Sequence, residues 1–383
     1  MSRLGPTFLD VIGWLGAGAA ILPLLARRAY LSVPELPQSL PQTGRLPISV
    51  VVPARNEREN LAALLPRLAD LGVEETIVVD DASDDGTGAV AASWGARVCR
   101  IEELPEGWVG KSYACAVGAR AAAAEWLLFL DADTRPEPDA ARNVLAYAEA
   151  RGVEVVSALL AQRLVTFWER LLIPFAYGQL FTGVAFEPTA PLLNGQLILA
   201  RRATYLASLG HAAPTVRGAI AEDVALARHL ARSGVRPAGV RPGVVGEVRM
   251  YRNLGEIRQG FGKNAVAFLV ASPRRGMATF GATVLATLWL PLLLAAARRP
   301  ALIRPLLAVL LGQVVGAAAW NQAFLGTTGP RAAAWALLQP LAAVVFQLIG
   351  SESVVRTYLG GGLRWKGRRY SGSAARGRNE HAR

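Results

Sequence analysis

The sequence predicts an α/β domain, a mostly parallel sheet flanked by helices, set between N-terminal and C-terminal transmembrane helices. Three observations predict it. Short β-branched runs alternate with helical stretches between Ile48 and Arg151, the order expected of βαβ units. Long apolar stretches are confined to Phe8–Ala26 and to the chain after Thr279, each near the roughly 20 residues that cross a bilayer. Finally, the apolar run Trp126–Leu130 reads as a strand buried on both faces, and it breaks off at Asp131-Ala132-Asp133. An acidic strand end of that kind lies where open parallel sheets bind ligands.

Composition supports the membrane assignment. Hydrophobic residues make up 52% of the 383 and charged ones 18%, rich for a soluble enzyme of this length. The formal charge is +12, and residues 351–383 alone hold eight Arg or Lys against two Glu. A basic tail beside spanning helices favours the cytoplasmic side and anionic headgroups, so a membrane explains it better than nucleic acid does. The two cysteines, Cys99 and Cys115, have no metal-ligand spacing and suggest no disulfide framework.

Taken in order, Phe8–Ala26 is apolar and is followed directly by Arg27-Arg28, the reverse of a signal peptide's charge order. An uncleaved anchor with a cytoplasmic carboxyl end is expected. Four prolines in Leu31–Pro47 mark a stiff linker. Strands are expected at Ile48–Val52, Thr76–Asp80, Arg97–Ile101, Trp126–Leu130 and Val153–Ala158, and helices at Arg58–Leu71, Thr87–Trp94, Lys111–Ala124 and Asp139–Arg151. Gln162–Phe186 is aromatic and poorly charged, which fits either a helix at the membrane interface or burial inside the domain. Asn194–Arg202 resumes strand character and Ala221–Ser233 is a helix opening at Glu222-Asp223. Thr279–Ala297, Ala301–Phe324 and Ala332–Gly350 are the candidate spans. Three full crossings would carry the basic tail out of the cytoplasm, so one stretch, Thr279–Ala297 with its Pro291 being the candidate, is expected to be re-entrant or interfacial.

The residues that carry chemistry cluster at strand ends. In an extended chain Asp131 and Asp133 point the same way and can share one hard cation, Mg2+ or Mn2+. The first strand leads into Pro53-Ala54-Arg55-Asn56-Glu57, with none of the glycines a dinucleotide turn needs. Classical nicotinamide hydride transfer is therefore disfavoured, and recognition of a base and ribose fits better. The second strand runs into Asp80-Asp81-Ala82-Ser83-Asp84-Asp85-Gly86. Such a cluster needs hydrogen bonds, a helix to cap or a cation. Ser83, Asp84 and Asp85 are capping candidates, whereas Asp80 and Asp81 are placed to accept a pyrimidine N–H. The three histidines, His211, His229 and His381, form no metal site by spacing, and His211, shortly before the helix that opens at Glu222-Asp223, is a candidate for a pocket role.

Together, in this order, these motifs and Glu222-Asp223 resemble family 2 glycosyltransferases of the GT-A fold, a nucleotide-diphospho-sugar transferase domain, over roughly Ile48–Lys263. The resemblance implies a metal-dependent, inverting hexosyl transfer. Residue by residue, it implies a donor site of Pro53, Arg55, Glu57 and Asp81, with Glu57 and Asp81 on the nucleoside. Asp131 would lie near ribose and metal, Asp133 would bind the divalent cation, and Asp223 would be the base. Lys111, in Glu106-Gly107-Trp108-Val109-Gly110-Lys111-Ser112, is a candidate for donor phosphate, and Gln196, in Asn194-Gly195-Gln196, for the sugar or acceptor pocket. Arg249 and Arg252, with Arg258 and Lys263, would clamp diphosphate or meet headgroups. These segments and Trp365-Lys366-Gly367-Arg368-Arg369-Tyr370 look like the membrane-bound branch that includes carotenoid glucosyltransferases and a hopanoid-associated relative. The Gln-x-x-Arg-Trp motif of processive synthases is missing here, which argues against a polymer product.

The expected organisation is an N-terminal transmembrane anchor (1–30), a Pro-rich linker (31–47), the glycosyltransferase domain (48–263), a membrane region of about three hydrophobic helices (264–350) and a basic cytoplasmic tail (351–383). The expected protein is a multi-pass one of the cell membrane with its catalytic domain in the cytoplasm. Its partners would be a nucleotide-sugar donor, UDP-glucose first, and a membrane lipid or isoprenoid acceptor such as a carotenoid. Polyprenyl phosphate, hopanoid and glycerolipid acceptors are alternatives. A membrane scaffold with a degenerate domain is the non-enzymatic one, disfavoured by the intact acidic motifs.

Overall fold

A computed structural model describes residues 21–38, 44–186, 192–242, 245–271, 273–326, 330–358, 363–365 and 368–370. The chain divides into an α/β unit and a helical unit. Most of Phe8–Ala26 and most of the basic tail lie outside the described residues.

The α/β unit contains β1 (Leu46–Ala54), β2 (Val73–Asp81), β3 (Arg97–Ile101), β4 (Trp126–Leu130), β5 (Thr134–Pro136), β6 (Val155–Ala158), β7 (Ala161–Gln162), β8 (Leu197–Arg201), β9 (Ala238–Val240) and β10 (Gly246–Val248). Seven of them form one sheet in the order β3-β2-β1-β4-β8-β6-β9. Strands β3, β2, β1 and β4 run parallel, and β8 lies antiparallel between β4 and β6. The mostly parallel sheet is therefore as expected, but β6 does not adjoin β4. A strand from later in the chain separates them.

Both faces of the sheet are covered, which is why its strands are continuous apolar runs. Val50 and Val52 of β1 pack in one core with Leu61, Leu64 and Leu68 of the helix Arg58–Ala69. Val51 points the other way, into a second core with Ile77, Ala114 and Ala119. The helix Gly110–Ala121 lies so close to the sheet that a Cβ on Gly118 would come 2.3 Å from Val51 Cγ1. The registers Ala54 with Asp80 and Val51 with Phe129 set the carboxyl ends of β1, β2 and β4 side by side. One sheet edge thus gathers the three acidic turns. A smaller sheet, β5-β10-β7, brings the Arg249 amide 3.5 Å from the Asp133 carbonyl.

Within residues 33–38 the Pro-rich stretch is tied down. Arg241 donates its amide to Pro34 O (2.7 Å) and its Nε to Val33 O (2.7 Å), and the Leu36 amide donates to Arg241 O. Proline suits such edge pairing because only its carbonyl is needed there.

The helical unit contains Leu22–Ser32, Phe167–Phe186, Leu254–Ala271, Pro273–Ala286, Trp289–Ala296, Ile303–Leu325, Pro330–Leu337 and Gln339–Tyr358. It takes residues 164–186 out of the α/β domain, and it begins again at Tyr251 rather than after Lys263. Phe167–Phe186 thus belongs to the helical unit and is not buried inside the α/β domain. Thr166 and Glu169 start it as a capping box, with the Thr166 amide 2.5 Å from Glu169 Oε2 and the Glu169 amide donating to Thr166 Oγ1. Leu172, Phe175 and Phe181 are buried. Trp320 donates its indole N–H to Pro174 O at 2.8 Å, and Tyr30 makes edge contacts with Phe181, Trp320 and Phe324.

Among the described residues two stretches, Pro273–Ala296 and Pro300–Leu325, are long and apolar enough to cross a bilayer, each with mean hydropathy 1.8. The first is interrupted at Thr287-Leu288, where Pro291 has no N–H to give the carbonyl four residues back and the Thr287 carbonyl accepts from the Leu290 amide at 3.1 Å instead. Ala332–Gly350, expected as a third span, is two helices broken at Leu338 ahead of Pro340. Polarity in this unit is inverted relative to a water-soluble bundle. Leu294, Leu307, Leu311 and Leu348 are 58–70% exposed, while Gln179, Arg275, Gln313 and Asn321 are buried.

Candidate active site

The first two acidic turns are knitted together by backbone and side chain. Asn56 takes a left-handed conformation (φ 52°), which asparagine tolerates better than most residues. Its amide donates to Ser83 Oγ (2.9 Å), its Oδ1 accepts from the Asp84 amide (3.1 Å), and Arg55 Nη1 reaches Asp81 O (2.6 Å). Asp85 accepts from the amides of Arg58 (3.0 Å) and Thr87 (2.9 Å). Burial works against charge on Asp85, but the bonds from Thr87 and Arg58 outweigh it and hold its carboxyl below the usual range. The N-cap of the following helix is Gly86, without a side-chain cap bond, so Asp85 does not cap it as expected; it instead ties together the first residues of two helices.

Asp80 requires a correction. It is 1% exposed, pairs with Arg100 Nη1 at 2.9 Å and accepts the Ser83 amide at 2.9 Å. Both oxygens are committed to holding the turn, so it is not an acceptor for a base. Asp81 ends β2 at 4% exposure, and Glu57, on the facing turn, accepts from Asn60 Nδ2 at 2.7 Å.

Asp131 and Asp133 also differ from expectation in one respect. β4 ends at Leu130, and the chain turns at once, closed by Thr134 N–H and Oγ1 donating to Asp131 O (3.2 and 2.7 Å). Strand alternation therefore does not govern how the two acids point. The Asp131 carboxylate instead meets Lys111 Nζ at 2.7 Å, and the same ammonium lies 2.8 Å from Glu222 Oε1. Among the described residues no three His, Cys, Asp or Glu side chains gather as a metal cluster.

Lys111 is therefore a bridge between carboxylates. Burial alone would depress it, but Asp131 and Glu222 hold its ammonium well above the ordinary lysine value. Burial raises Asp131 despite that partner. Beside the bridge, Asp223 sits in the first turn of the helix Glu222–Arg232, where a carboxylate is favoured by the helix dipole. It accepts from Gly195 N (3.1 Å) and Val224 N (2.8 Å). Burial first, and Glu222 second, push its carboxyl up to about 6. That is the range of a working general base.

Gly195 fits between these groups because it has no side chain. A Cβ there would lie 2.8 Å from Lys111 Nζ, 3.3 Å from Glu222 Oε1 and 3.7 Å from Asp223 Cβ. Pro53, Lys111, Asp131, Gly195, Glu222 and Asp223 share the walls of one pocket.

The structure thus brings together Pro53, Lys111, Asp131 and Asp223 from among the expected residues. Gln196 is buried next to them, its amide engaged by Met250 Sδ (3.1 Å) and Gln162 Nε2 (3.5 Å), and it is not part of the pocket wall. Arg249 meets the Asp133 turn through its backbone. Arg252 belongs to the helical unit, where its amide donates to Glu256, and Arg258 pairs with Glu352. Glu222 and Gly195 are the site residues that sequence reasoning left unassigned. Consecutive helical residues point about 100° apart, so nothing local tells that Glu222 reaches the pocket as Asp223 does. The signal for Gly195 was its place directly before a strand.

Residues 49–191 match the profile of glycosyl transferase family 2. The 4,4'-diaponeurosporenoate glycosyltransferase of Staphylococcus haemolyticus (strain JCSC1435) is 39% identical over 107 residues, 27% of this chain and 28% of that protein. Its namesake in Staphylococcus aureus (strain USA300) is 34% identical over 108 residues, 27% of this chain and 29% of that protein. The matches span less than a third of these relatives. Among solved structures, mannosyltransferase PcManGT from Pyrobaculum calidifontis, in complex with GDP-Man and Mn2+, superposes with a TM-score of 0.54 at 20% identity, covering 92% of this chain and 99% of that one. That similarity is one of fold.

Proposed function

We propose, from the premise that this chain carries a family 2 glycosyltransferase domain over residues 49–191 and resembles carotenoid glycosyltransferases, that it moves one hexose from a nucleotide donor to a membrane-soluble isoprenoid. The observation that carries the reading is the half-buried Asp223 carboxylate, held by the Gly195 and Val224 amides beside the Lys111 bridge at the carboxyl edge of the sheet, where burial and Glu222 push it up to about 6. A carboxylate of that basicity accepts the proton of an attacking hydroxyl, and an acceptor already ionised as a carboxylate needs less of it. Attack opposite the departing diphosphate inverts the anomeric carbon in one step, and no nucleophilic side chain is required.

The Gly195 and Val224 amides fix the Asp223 oxygens, so the base is oriented before the acceptor arrives. Glu222 keeps Lys111 in place and raises the basicity of its neighbour by like charge. Glu57 and Asp81 flank the nucleoside end of the crevice. Asp131 and Asp133 are the residues that would hold a divalent cation, and the donor set fits: hard carboxylate oxygens, one of which already carries a cation in the form of the Lys111 ammonium. Such an ion, when bound, neutralises charge developing on the diphosphate.

Two things support a membrane acceptor. The helical unit buries Gln179, Arg275, Gln313 and Asn321 while it exposes Leu294, Leu307, Leu311 and Leu348, which water does not favour. The relatives' name specifies a carotenoid acid as their acceptor, and by that likeness a carotenoid carboxylate or hydroxyl is proposed here. UDP-glucose is the donor proposed. The basic tail favours a multi-pass arrangement with the catalytic domain in the cytoplasm.

The test is lipid extraction from a host that makes carotenoids, expressing either this chain or its Asp223→Asn variant. A product heavier by one hexose is expected only with the unaltered chain. No hexosylated lipid with either one refutes the proposal.

A further inference from the structure

The pocket beside Asp223 has a wall that the reaction above leaves unused. His211 lines it together with Lys111, Asp131, Glu222 and Asp223. Its ring lies 5.5 Å from that of Phe129 and 5.8 Å from that of Tyr205, centroid to centroid. The Tyr205 hydroxyl accepts the His211 backbone amide at 3.1 Å and stands 2.7 Å from His211 Nδ1.

Hydrogen-bond accounting fixes the tautomer. Tyr205 is only 2% exposed, and a phenol has a single proton to donate. Directed at Nδ1, that proton satisfies the hydroxyl, whose oxygen is already taken by the backbone amide. The reverse arrangement, with the ring proton on Nδ1, would bury the Tyr205 proton with no acceptor, at the cost of an unmade bond. The ring proton therefore resides on Nε2. Burial also lowers the His211 pKa to about 4, which keeps the imidazole neutral and leaves Nε2–H as its single donor.

What that donor meets follows from the rest of the recess. There is room for about one water-sized group. The remaining polar lining is anionic on balance, with three carboxyl groups against the Lys111 ammonium, so a phosphate or carboxylate is disfavoured. A hydroxyl fits, because it accepts from Nε2–H and donates to a carboxylate at once. We propose that the His211 Nε2–H donates to a hydroxyl of the transferred hexose and so contributes to the choice of sugar. This rests on the hexosyltransferase reading above.

Two measurements on the purified full-length protein test it. With histidine labelled in nitrogen-15, the signal lost in His211→Phe identifies residue 211 among the three histidines, and protonated Nε2 with bare Nδ1 is expected. A protonated Nδ1 overturns the inference whatever the enzyme does. Second, titration calorimetry with Mg2+ compares UDP-glucose, UDP-galactose and GDP-mannose with UDP and GDP. The gain in affinity due to the sugar should fall about fivefold to tenfold in His211→Phe, with nucleotide affinity unchanged and most of the gain restored in His211→Gln. An unchanged gain means that the recess holds only water, and the inference fails alone. If the unaltered protein binds none of the three sugar nucleotides, the hexosyltransferase reading fails and takes this inference with it.

Discussion

Substituting Gly195 by alanine separates the chemistry of the site from its folding. The position is not in the left-handed region and sits before β8, so alanine brings no backbone strain of the kind that glycine relieves. The added methyl would stand 2.8 Å from Lys111 Nζ, well inside ordinary contact. Because the ammonium ends a flexible side chain, it can retreat by about 0.6 Å, and the fold survives. The ion pairs at 2.7 and 2.8 Å do not survive unchanged. At an effective dielectric of about 20, a retreat of that size from either carboxylate weakens the pair by about 1 kcal/mol. The 3.1 Å bond from the Gly195 amide to Asp223 Oδ2 is disturbed as well. A misplacement on this scale at a reacting group costs about 100-fold in turnover. Thermal unfolding should therefore shift by only a few degrees, while hexose transfer into extracted lipid falls by one to two orders of magnitude. Full activity in Gly195→Ala would mean that the Lys111, Glu222 and Asp223 arrangement is not where the reaction occurs. Global unfolding would mean that the close approach is a packing requirement.

Four further outcomes are expected. Asp223→Asn should reduce turnover by about 10²- to 10⁴-fold with donor affinity, read by calorimetry, essentially kept; a parallel loss of binding would mark Asp223 as a donor ligand. Because Asp223 is protonated below about pH 6, kcat/KM should fall with acidity below that value and level off above it, and Glu222→Gln should move the limb to lower pH by removing a like charge. The same raised pKa means that this group favours the fold at low pH, and that its contribution is lost as pH rises from about 4 to about 6; the Asp223→Asn variant should lack this component in its unfolding profile. Chelation with EDTA should stop transfer, with recovery on adding Mg2+ or Mn2+, and Asp133→Asn should raise the cation concentration needed for half-maximal rate. Undiminished turnover in EDTA would remove the assigned role of Asp131 and Asp133.

Much of the α/β unit was legible in the sequence because its signals are local. The runs around Val50, Val78 and Leu128 are continuous and apolar since each strand is covered on both faces, and the helices between them carry one apolar stripe each. The acidic ends of β1, β2 and β4 were legible for the same reason: in a parallel sheet every carboxyl end falls on one edge. The assignment of Asp80 to a base failed because its neutralising partner, Arg100, sits on the adjacent strand, a relation that no spacing encodes. Proline breaks were readable only in part. Pro291 was flagged as an interruption, whereas Pro340 was passed over inside an apolar stretch whose composition alone looked sufficient to span.

By itself, the sequence determined the fold class and the edge at which chemistry gathers, since these depend on periodicity and on chain direction; Asp223 as a candidate base came from the resemblance to family 2 glycosyltransferases. Only the tertiary structure decided that β8 enters between β4 and β6, and with it that Gly195 meets Asp223. It also decided that Lys111 joins Asp131 to Glu222 and that the Tyr205 hydroxyl stands 2.7 Å from His211 Nδ1. Each of these is a contact between residues distant in sequence, where charge, burial and steric room are set by what the fold brings alongside.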